Sequence, residues 1–302
     1  NYIKELIHRK DSSGCSPLHL CIKTGTIECA NLLLDAGASP HLKANNGDST
    51  LHLAAFDGKE EICKRLISIP KVRLNLENDD KATPLHLASM NGFIDICKLL
   101  IKRGARLTSL DKKSYTPLHM ACLEGHVKVV KLLIEKGAPL LAEADDGRTP
   151  LYLAAKKGSL ESCRLLATIN QEAVWHQDFN GLLPLDCAFK YNHDDVFHFL
   201  IKMDHTCKWD VKLESRIHIY MHLAIEEGRL GVVEAIIESK LWSSGFFGSC
   251  EGPCSNFRNL VRQYPVLAEK VLDKCIEKPT GKDGVIYNFS FYEDDYYVPN
   301  GV

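Results

Sequence analysis

Five histidines in this chain occupy one repeated position, and histidine is the side chain most often used for metal binding and proton transfer near neutral pH. They are His19, His52, His86, His119 and His222. No Asp or Cys stands at metal-ligand spacing beside them, so they do not form a zinc motif. Their fixed place in a repeat predicts a structural role.

Two other patterns invite a metal interpretation. Cys250 and Cys254 are separated by three residues, a gap that zinc ligands can use, but a second pair is missing. We expect a loop with two free thiols there. The acidic turns at Asp79-Asp80 and 293–295 lack the alternating ligands and the glycine of an EF-hand loop. We expect solvated charge rather than a calcium site.

The chain also lacks the sequence signatures of an enzyme. It contains no Gly-rich phosphate loop and no Gly-x-Ser-x-Gly nucleophile motif. No other group of side chains suggests a catalytic role. We therefore predict that the chain is not an enzyme and that it has no catalytic residue, no metal site and no cofactor.

Composition narrows the possible partners. The 302 residues carry 37 Lys and Arg against 39 Asp and Glu, a net charge of −2. Because nucleic-acid binding depends on clustered Lys and Arg, this balance argues against nucleic acid as a partner. No apolar run is long enough to span a bilayer, and no signal peptide is visible. Since the first residue is Asn1, we expect a fragment of a longer protein.

A short motif recurs seven times at an almost constant interval. In its fullest form, at 83–87, it reads Thr-Pro-Leu-His-Leu, and Gly92 follows. The seven copies begin at residues 16, 49, 83, 116, 149, 183 and 219. Spacings of 33 to 36 residues identify a tandem repeat, which covers roughly residues 10–240.

The motif resembles the ankyrin repeat, whose signature is Thr-Pro-Leu-His-x-Ala at a period of about 33 residues. The resemblance implies an all-α solenoid, in which the motif imidazole hydrogen-bonds the Thr and neighbouring backbone. The residues agree with that fold. Ser or Thr caps a short helix, Pro opens it, and Gly ends it. A second helix follows, as at 94–101, with apolar residues at three- and four-residue steps.

Cysteines recur with the same period. Cys63, Cys97 and Cys163 each lie twelve residues after the motif leucine, and Cys29 lies eleven after its own. Equivalent positions of stacked helices are roughly 8–10 Å apart, whereas a disulfide needs Cα atoms within roughly 7 Å. We therefore predict small, buried, unpaired thiols in a reducing cytosol.

The repeats change at both ends of the series. Residues 2–9 resemble the second helix of a partial repeat, and their apolar side chains lead us to expect further repeats upstream. Repeat six replaces its capping pair by Leu182-Leu183, and the segment 204–217 is longer and lacks glycine. We predict a bend or docking surface there. The predicted ankyrin domain, with a partial repeat and seven complete ones, spans 1–240.

Residues 241–302 have a different character. We predict a helix at 257–263, a second helix from Pro265, and a β-strand in the alternating apolar segment 285–292. A helix pair with a lone strand does not fold by itself. We therefore expect a linker region that needs a partner surface.

Part of this region resembles the linker of TRPA-type transient receptor potential channels. The resemblance lies in Asn256-Phe257-Arg258-Asn259-Leu260, Tyr264-Pro265, residues 270–275 and Tyr287-Asn288-Phe289. In that family the linker joins the cytosolic ankyrin stack to the first membrane helix of a homotetrameric, non-selective, calcium-permeable cation channel. The resemblance implies a cytosolic piece of such a plasma-membrane channel, which passes thermal or chemical strain to the gate and reaches the membrane only through missing downstream segments.

The resemblance also implies roles for particular residues. The expected coupling residues are Phe257, Leu260, Pro265, Leu267, Leu272, Tyr287 and Phe289. Cys275 is a candidate reactive thiol, because Lys270 and Lys274 would favour its thiolate and electrophile-sensing relatives carry reactive cysteines in this linker. Its place on the apolar stripe of the helix favours burial instead.

Two alternatives remain at this point. The chain could be a soluble ankyrin adaptor that binds a protein partner through its concave face. It could also be a repeat domain that regulates an attached enzyme, which would require a catalytic domain downstream. The channel interpretation requires six apolar stretches of about 20 residues beyond Val302.

Overall fold

The computed structural model describes residues 5–203, 211–241 and 255–276. Its contacts divide the chain into two compact units, 1–191 and 192–302. The division falls between the two helices of repeat six. The boundary that we placed at residue 240 marks the end of the recognisable repeat, and it stays a prediction.

The first unit consists of short helices that alternate between two layers. Odd-numbered helices pack on one another, and even-numbered helices form the second layer. This arrangement confirms the predicted all-α solenoid. The helices are α1 (Pro17–Thr24), α2 (Ile27–Asp35), α3 (Thr50–Phe56), α4 (Glu60–Ile67), α5 (Pro84–Met90), α6 (Ile94–Lys102), α7 (Pro117–Glu124), α8 (Val127–Glu135), α9 (Pro150–Lys157), α10 (Leu160–Ile169) and α11 (Pro184–Lys190), with a 3₁₀ helix at Gln171–Trp175.

The motif residues start, stop and bury the odd-numbered helices. In α7, the hydroxyl of Thr116 accepts a hydrogen bond from the N–H of His119, and Gly125 ends the helix at φ 78°. The motif leucines form the centre of the core, because each is at most 3% exposed. They are Leu18, Leu51, Leu85, Leu118, Leu151 and Leu185.

The periodic cysteines lie in the core, with one exception. Cys63, Cys97 and Cys163 are fully buried, and burial raises the pKa of the Cys63 and Cys97 thiols to about 12. Cys29 is exposed, so its predicted burial is wrong. Its spacing from the motif is one residue shorter, and Ala30 therefore occupies the buried position.

The second unit contains α12 (Asp194–Ile201), α13 (Val211–Glu226), α14 (Leu230–Glu238), α15 (Ser255–Gln263) and α16 (Pro265–Ile276). Helix α15 packs on α13, and α16 packs on α14. The predicted helix pair therefore continues the repeat geometry as one more hairpin, although it lacks the motif.

Helix α13 begins earlier in the sequence than expected. Residues 211–217 belong to the segment at which we predicted a bend or docking surface, and they form the first part of α13, a helix of 16 residues. The β-strand predicted at 285–292 lies outside the described residues.

The turns between repeats form a ladder of backbone hydrogen bonds in the first unit. The N–H of Asp79 donates to the carbonyl of Asn46 at 3.2 Å, and the N–H of Lys112 donates to that of Asp80 at 2.9 Å. Gly47 lies in this ladder at φ +77°, and a Cβ there would lie 2.5 Å from the Asp79 nitrogen. Glycine is required both by the backbone angle and by the close approach.

We expect Gly47→Ala to lower the free energy of unfolding by about 3 kcal/mol, because the methyl group strains the backbone and pushes the next turn away. Gly137 is the matched control, since its φ is +83° but no atom lies within 4 Å of an added Cβ. Gly137→Ala should lose about 1 kcal/mol. Urea denaturation followed by circular dichroism measures both losses. Equal losses would contradict a role for the close approach.

Candidate functional site

Four motif histidines connect each repeat to the next. In repeat two, Nδ1 of His52 accepts hydrogen bonds from the backbone N–H of Ser49 at 3.1 Å and from its hydroxyl at 2.8 Å. Nε2 of His52 lies 3.0 Å from the carbonyl oxygen of Ala82 in repeat three. Because the backbone N–H can only donate, the imidazole hydrogen must be on Nε2, which donates to that carbonyl. Equivalent contacts are made by His19, His86 and His119.

These four imidazoles are held in the neutral form. Burial lowers the pKa of His19, His52 and His86, and it lowers the pKa of His119 to about 4. Since both ring nitrogens are hydrogen-bonded, neither is open to a metal ion. Within the described part of the chain, no three His, Cys, Asp or Glu side chains cluster closely enough to hold a metal.

Repeats five and six carry other side chains at the histidine position. In repeat six, the carboxylate of Asp186 accepts a hydrogen bond from the N–H of Leu183 at 2.6 Å. In repeat five, Tyr152 stands at this position, and the guanidinium of Arg148 lies 5.1 Å from the centre of its ring. Asp186 thus replaces the histidine at the start of the repeat-six helix, whereas in repeat five the hydroxyl of Thr149 accepts a hydrogen bond from the N–H of Tyr152 at 3.5 Å.

His222 departs from the pattern that its sequence position suggests. Its side chain is 43% exposed, and its Nε2 lies 3.3 Å from a carboxylate oxygen of Glu226. The reason is that α13 is long, so this position lies inside the helix and not at its start. The free backbone N–H groups that the other motif imidazoles accept from occur only at a helix start. His218, one turn earlier, is the buried histidine of this helix, and its carbonyl accepts a hydrogen bond from the Asn256 side chain at 3.1 Å.

The predicted coupling residues occupy distinct places in the α15–α16 hairpin. Phe257 and Leu260 are buried on α15, and Leu267 is buried on α16. Leu272 is half-buried, whereas Pro265 is exposed at the corner between the two helices. Tyr287 and Phe289 lie outside the described residues. Asn256, Ala268 and Val271, which are not among the predicted coupling residues, are also buried in this hairpin.

Polar contacts also fasten α16 to α14. Lys270 forms an ion pair with Glu234 at 2.9 Å, and Lys274 donates to the carbonyl of Ile237. These are the two cations that we expected to favour a thiolate at Cys275. The side chain of Cys275 lies outside the described residues, as do Cys250 and Cys254.

Apolar side chains on the odd-numbered helices are not fully covered. Leu20 and Phe56 are 45% and 46% exposed. Half-buried residues continue the set on α3, α5 and α7, at Leu53, Leu87, Met90, Met120 and Leu123. These residues occupy equivalent positions of successive repeats, and exposed apolar patches are typical of protein-binding sites.

Each helix pair in this fold is stabilised by packing on the adjacent pairs, which is the defining property of a tandem-repeat scaffold. Proteins of this class present extended surfaces for binding. This chain belongs to the ankyrin-repeat family. A model of three ankyrin repeats matches residues 51–143 and 139–215, and a model of one ankyrin repeat matches residues 13–45. Ankyrin repeats mediate protein–protein interaction, and these matches indicate no catalytic family.

Relatives of known identity share parts of this chain. It is 35% identical over 109 residues to human transient receptor potential cation channel subfamily A member 1, a match that covers 35% of this chain and 10% of that protein. It is 38% identical over 72 residues to mouse protein phosphatase 1 regulatory subunit 27, covering 24% of this chain and 46% of the relative. It is 29% identical over 116 residues to the chicken nuclear factor NF-kappa-B p105 subunit, covering 38% and 12%. Each match thus spans less than half of the relative.

The neutral histidines predict acid sensitivity. A histidine whose folded pKa is lowered contributes its stability in full above about pH 6.5, and that contribution is lost as the pH falls towards the folded pKa. For His119, with a folded pKa of about 4, the loss between about pH 7.5 and about pH 5 is about 2 kcal/mol. We expect His119→Gln to be less stable at neutral pH but to lose about 2 kcal/mol less on acidification. Urea denaturation at both pH values measures this difference, and equal acid sensitivity of the two proteins would contradict it.

Proposed function

We propose that this chain is the ankyrin and linker portion of a TRPA-type cation channel, positioned at the cytosolic face of the plasma membrane. The full protein would be a homotetrameric, calcium-permeable, non-selective channel, and this portion would pass thermal or chemical strain to the gate. The chain would have no enzymatic role. The observation that carries the proposal is the 35% identity over 109 residues to human transient receptor potential cation channel subfamily A member 1.

The α15–α16 hairpin supports the proposal. A coupling element must be attached to the repeats that it follows, because strain passes only through packed contacts. The residues that resemble the TRPA linker are among those that attach it: Asn256 donates to the carbonyl of His218, and Phe257 and Leu260 are buried. Since an additional repeat would pack in the same way, the assignment to a channel depends on the sequence resemblance and not on this packing.

A soluble ankyrin adaptor is the second candidate. The observation that favours it is the match to mouse protein phosphatase 1 regulatory subunit 27, which covers a larger share of that relative than the channel match does of its own. The partly exposed apolar residues of α1, α3, α5 and α7 would then form the binding face for a protein partner. None of the helices among the described residues has the length and apolarity that a bilayer crossing requires.

The coding sequence beyond Val302 separates the two candidates. The channel requires six apolar stretches of about 20 residues there. A stop codon or a polar tail would contradict the channel and support the adaptor. Expression of the full-length protein in cells, followed by recording of calcium-carrying currents, then tests the activity itself.

Two adjacent residues of α15 test the coupling role. Leu260 is fully buried, whereas Val261 is 46% exposed. We expect Leu260→Asp in the full-length protein to reduce stimulus-evoked current at least about tenfold at equal surface expression, because a buried carboxylate detaches the hairpin. Val261→Asp should leave the current within about twofold of the wild-type value. Hydrogen exchange of the 302-residue chain should show lost protection in α15 and α16 only for Leu260→Asp. Normal currents despite that loss would contradict coupling through this hairpin.

A further inference from the structure

The loop that follows α4 differs from the equivalent loops in the first unit. In repeats one, three and four, a glycine at positive φ follows the second helix; these residues are Gly37, Gly104 and Gly137. Repeat two has no glycine there and is one residue longer than repeat three. Lys71 takes the left-handed conformation instead, at φ 63°. A long side chain in that conformation is uncommon and costs about 1 kcal/mol, so this loop has a shape that the repeat itself does not require.

The residues that follow Lys71 line an open pocket of about 400 Å³. Its lining consists of residues 72–76 together with Arg106 from the next repeat. The side-chain oxygen of Asn75 accepts a hydrogen bond from the backbone N–H of Arg106 at 2.9 Å. This bond holds the two loops against each other and brings both repeats to the same pocket.

The pocket has an unbalanced positive charge. Arg73 and Arg106 both line it and are exposed, and among the described residues neither guanidinium forms an ion pair or a hydrogen bond. The segments 62–76 and 96–110 contain no Asp or Glu. The positive charge also affects nearby His41. Burial is the larger cause that lowers the pKa of His41, and the charge of Arg73 lowers it further.

The other lining groups favour a peptide over a phosphate compound. Val72, Leu74 and Leu76 supply apolar surface. The fork of an arginine side chain matches the two oxygens of a carboxylate, and a volume of about 400 Å³ accommodates one or two side chains.

We propose that the pocket formed by residues 72–76 and Arg106 binds an acidic residue and a neighbouring apolar residue of a partner peptide. Arg73 and Arg106 bind the carboxylate, and Val72 and Leu74 contact the apolar side chain. This site does not depend on whether the full protein is a channel or an adaptor, so its test is separate from that of the proposed function.

The test is a selection of peptides from a random dodecapeptide phage library on the intact 302-residue chain. The selected peptides are then synthesised with a fluorescent label and titrated. We expect enrichment of sequences with Asp or Glu beside an apolar residue. Arg73→Gln combined with Arg106→Gln should weaken their binding at least about tenfold, since two charge-assisted contacts are lost.

Lys128→Gln combined with Lys131→Gln is the matched control. It removes the same two charges from exposed positions of α8, outside the pocket, and it should change binding by less than about twofold. Circular dichroism melting of each variant establishes that it is folded. The proposal is wrong if no acidic sequences are enriched, or if the enriched peptides bind the two double variants equally well. Arginine-dependent binding of inorganic pyrophosphate in the absence of peptide binding would also overturn it.

Discussion

A neutral imidazole that bonds in two directions is the interaction on which the repeat geometry depends. In each of repeats one to four, Nδ1 accepts from the start of its own helix, and Nε2 donates to a carbonyl near the start of the next repeat. The same side chain therefore sets both where a helix begins and how far away its neighbour lies. Such buried polar links are stable only when every partner is present. This requirement explains why the motif recurs at nearly constant spacing.

Period and local chemistry made most of the first unit predictable. The second helix of repeat three was expected at 94–101 and extends from Ile94 to Lys102, because its apolar residues and terminal glycine are local signals. Cys29 shows where prediction from spacing fails. Its distance from the motif leucine is one residue shorter, and a shift of one residue moves a side chain from the core to the surface. The length of α13 and the docking of 255–276 could not be predicted in this way. They depend on contacts over long sequence separations, such as that of Asn256 with His218, which leave no periodic signature.

The candidate sites also differ in how well the sequence predicts them. The structural histidines were identifiable because their position repeats, and only His222 departs from the pattern, in a helix whose start the sequence does not mark. The pocket beside Arg73 and Arg106 was missed because one arginine in each of two loops forms no motif. Three signals were nevertheless present in the sequence: an extra residue in repeat two, the loss of the loop glycine, and two segments without acidic residues. A repeat tolerates such changes in its loops, since the core contacts lie elsewhere.

Packing rather than charge holds the terminal hairpin in the second unit. The ion pair between Lys270 and Glu234 joins two side chains that are 50% and 43% exposed, and exposed pairs typically contribute between 0 and about 1 kcal/mol. Burial of a leucine such as Leu260 contributes about 2–3 kcal/mol. Among the described residues of this unit, the hairpin packs mainly on α13 and α14, so a displacement of those helices reaches it chiefly through buried side chains. Salt screens interactions between charges and has little effect on an apolar contact of this kind. The attachment of the hairpin should therefore be insensitive to ionic strength, whether the chain belongs to a channel or to a scaffold protein.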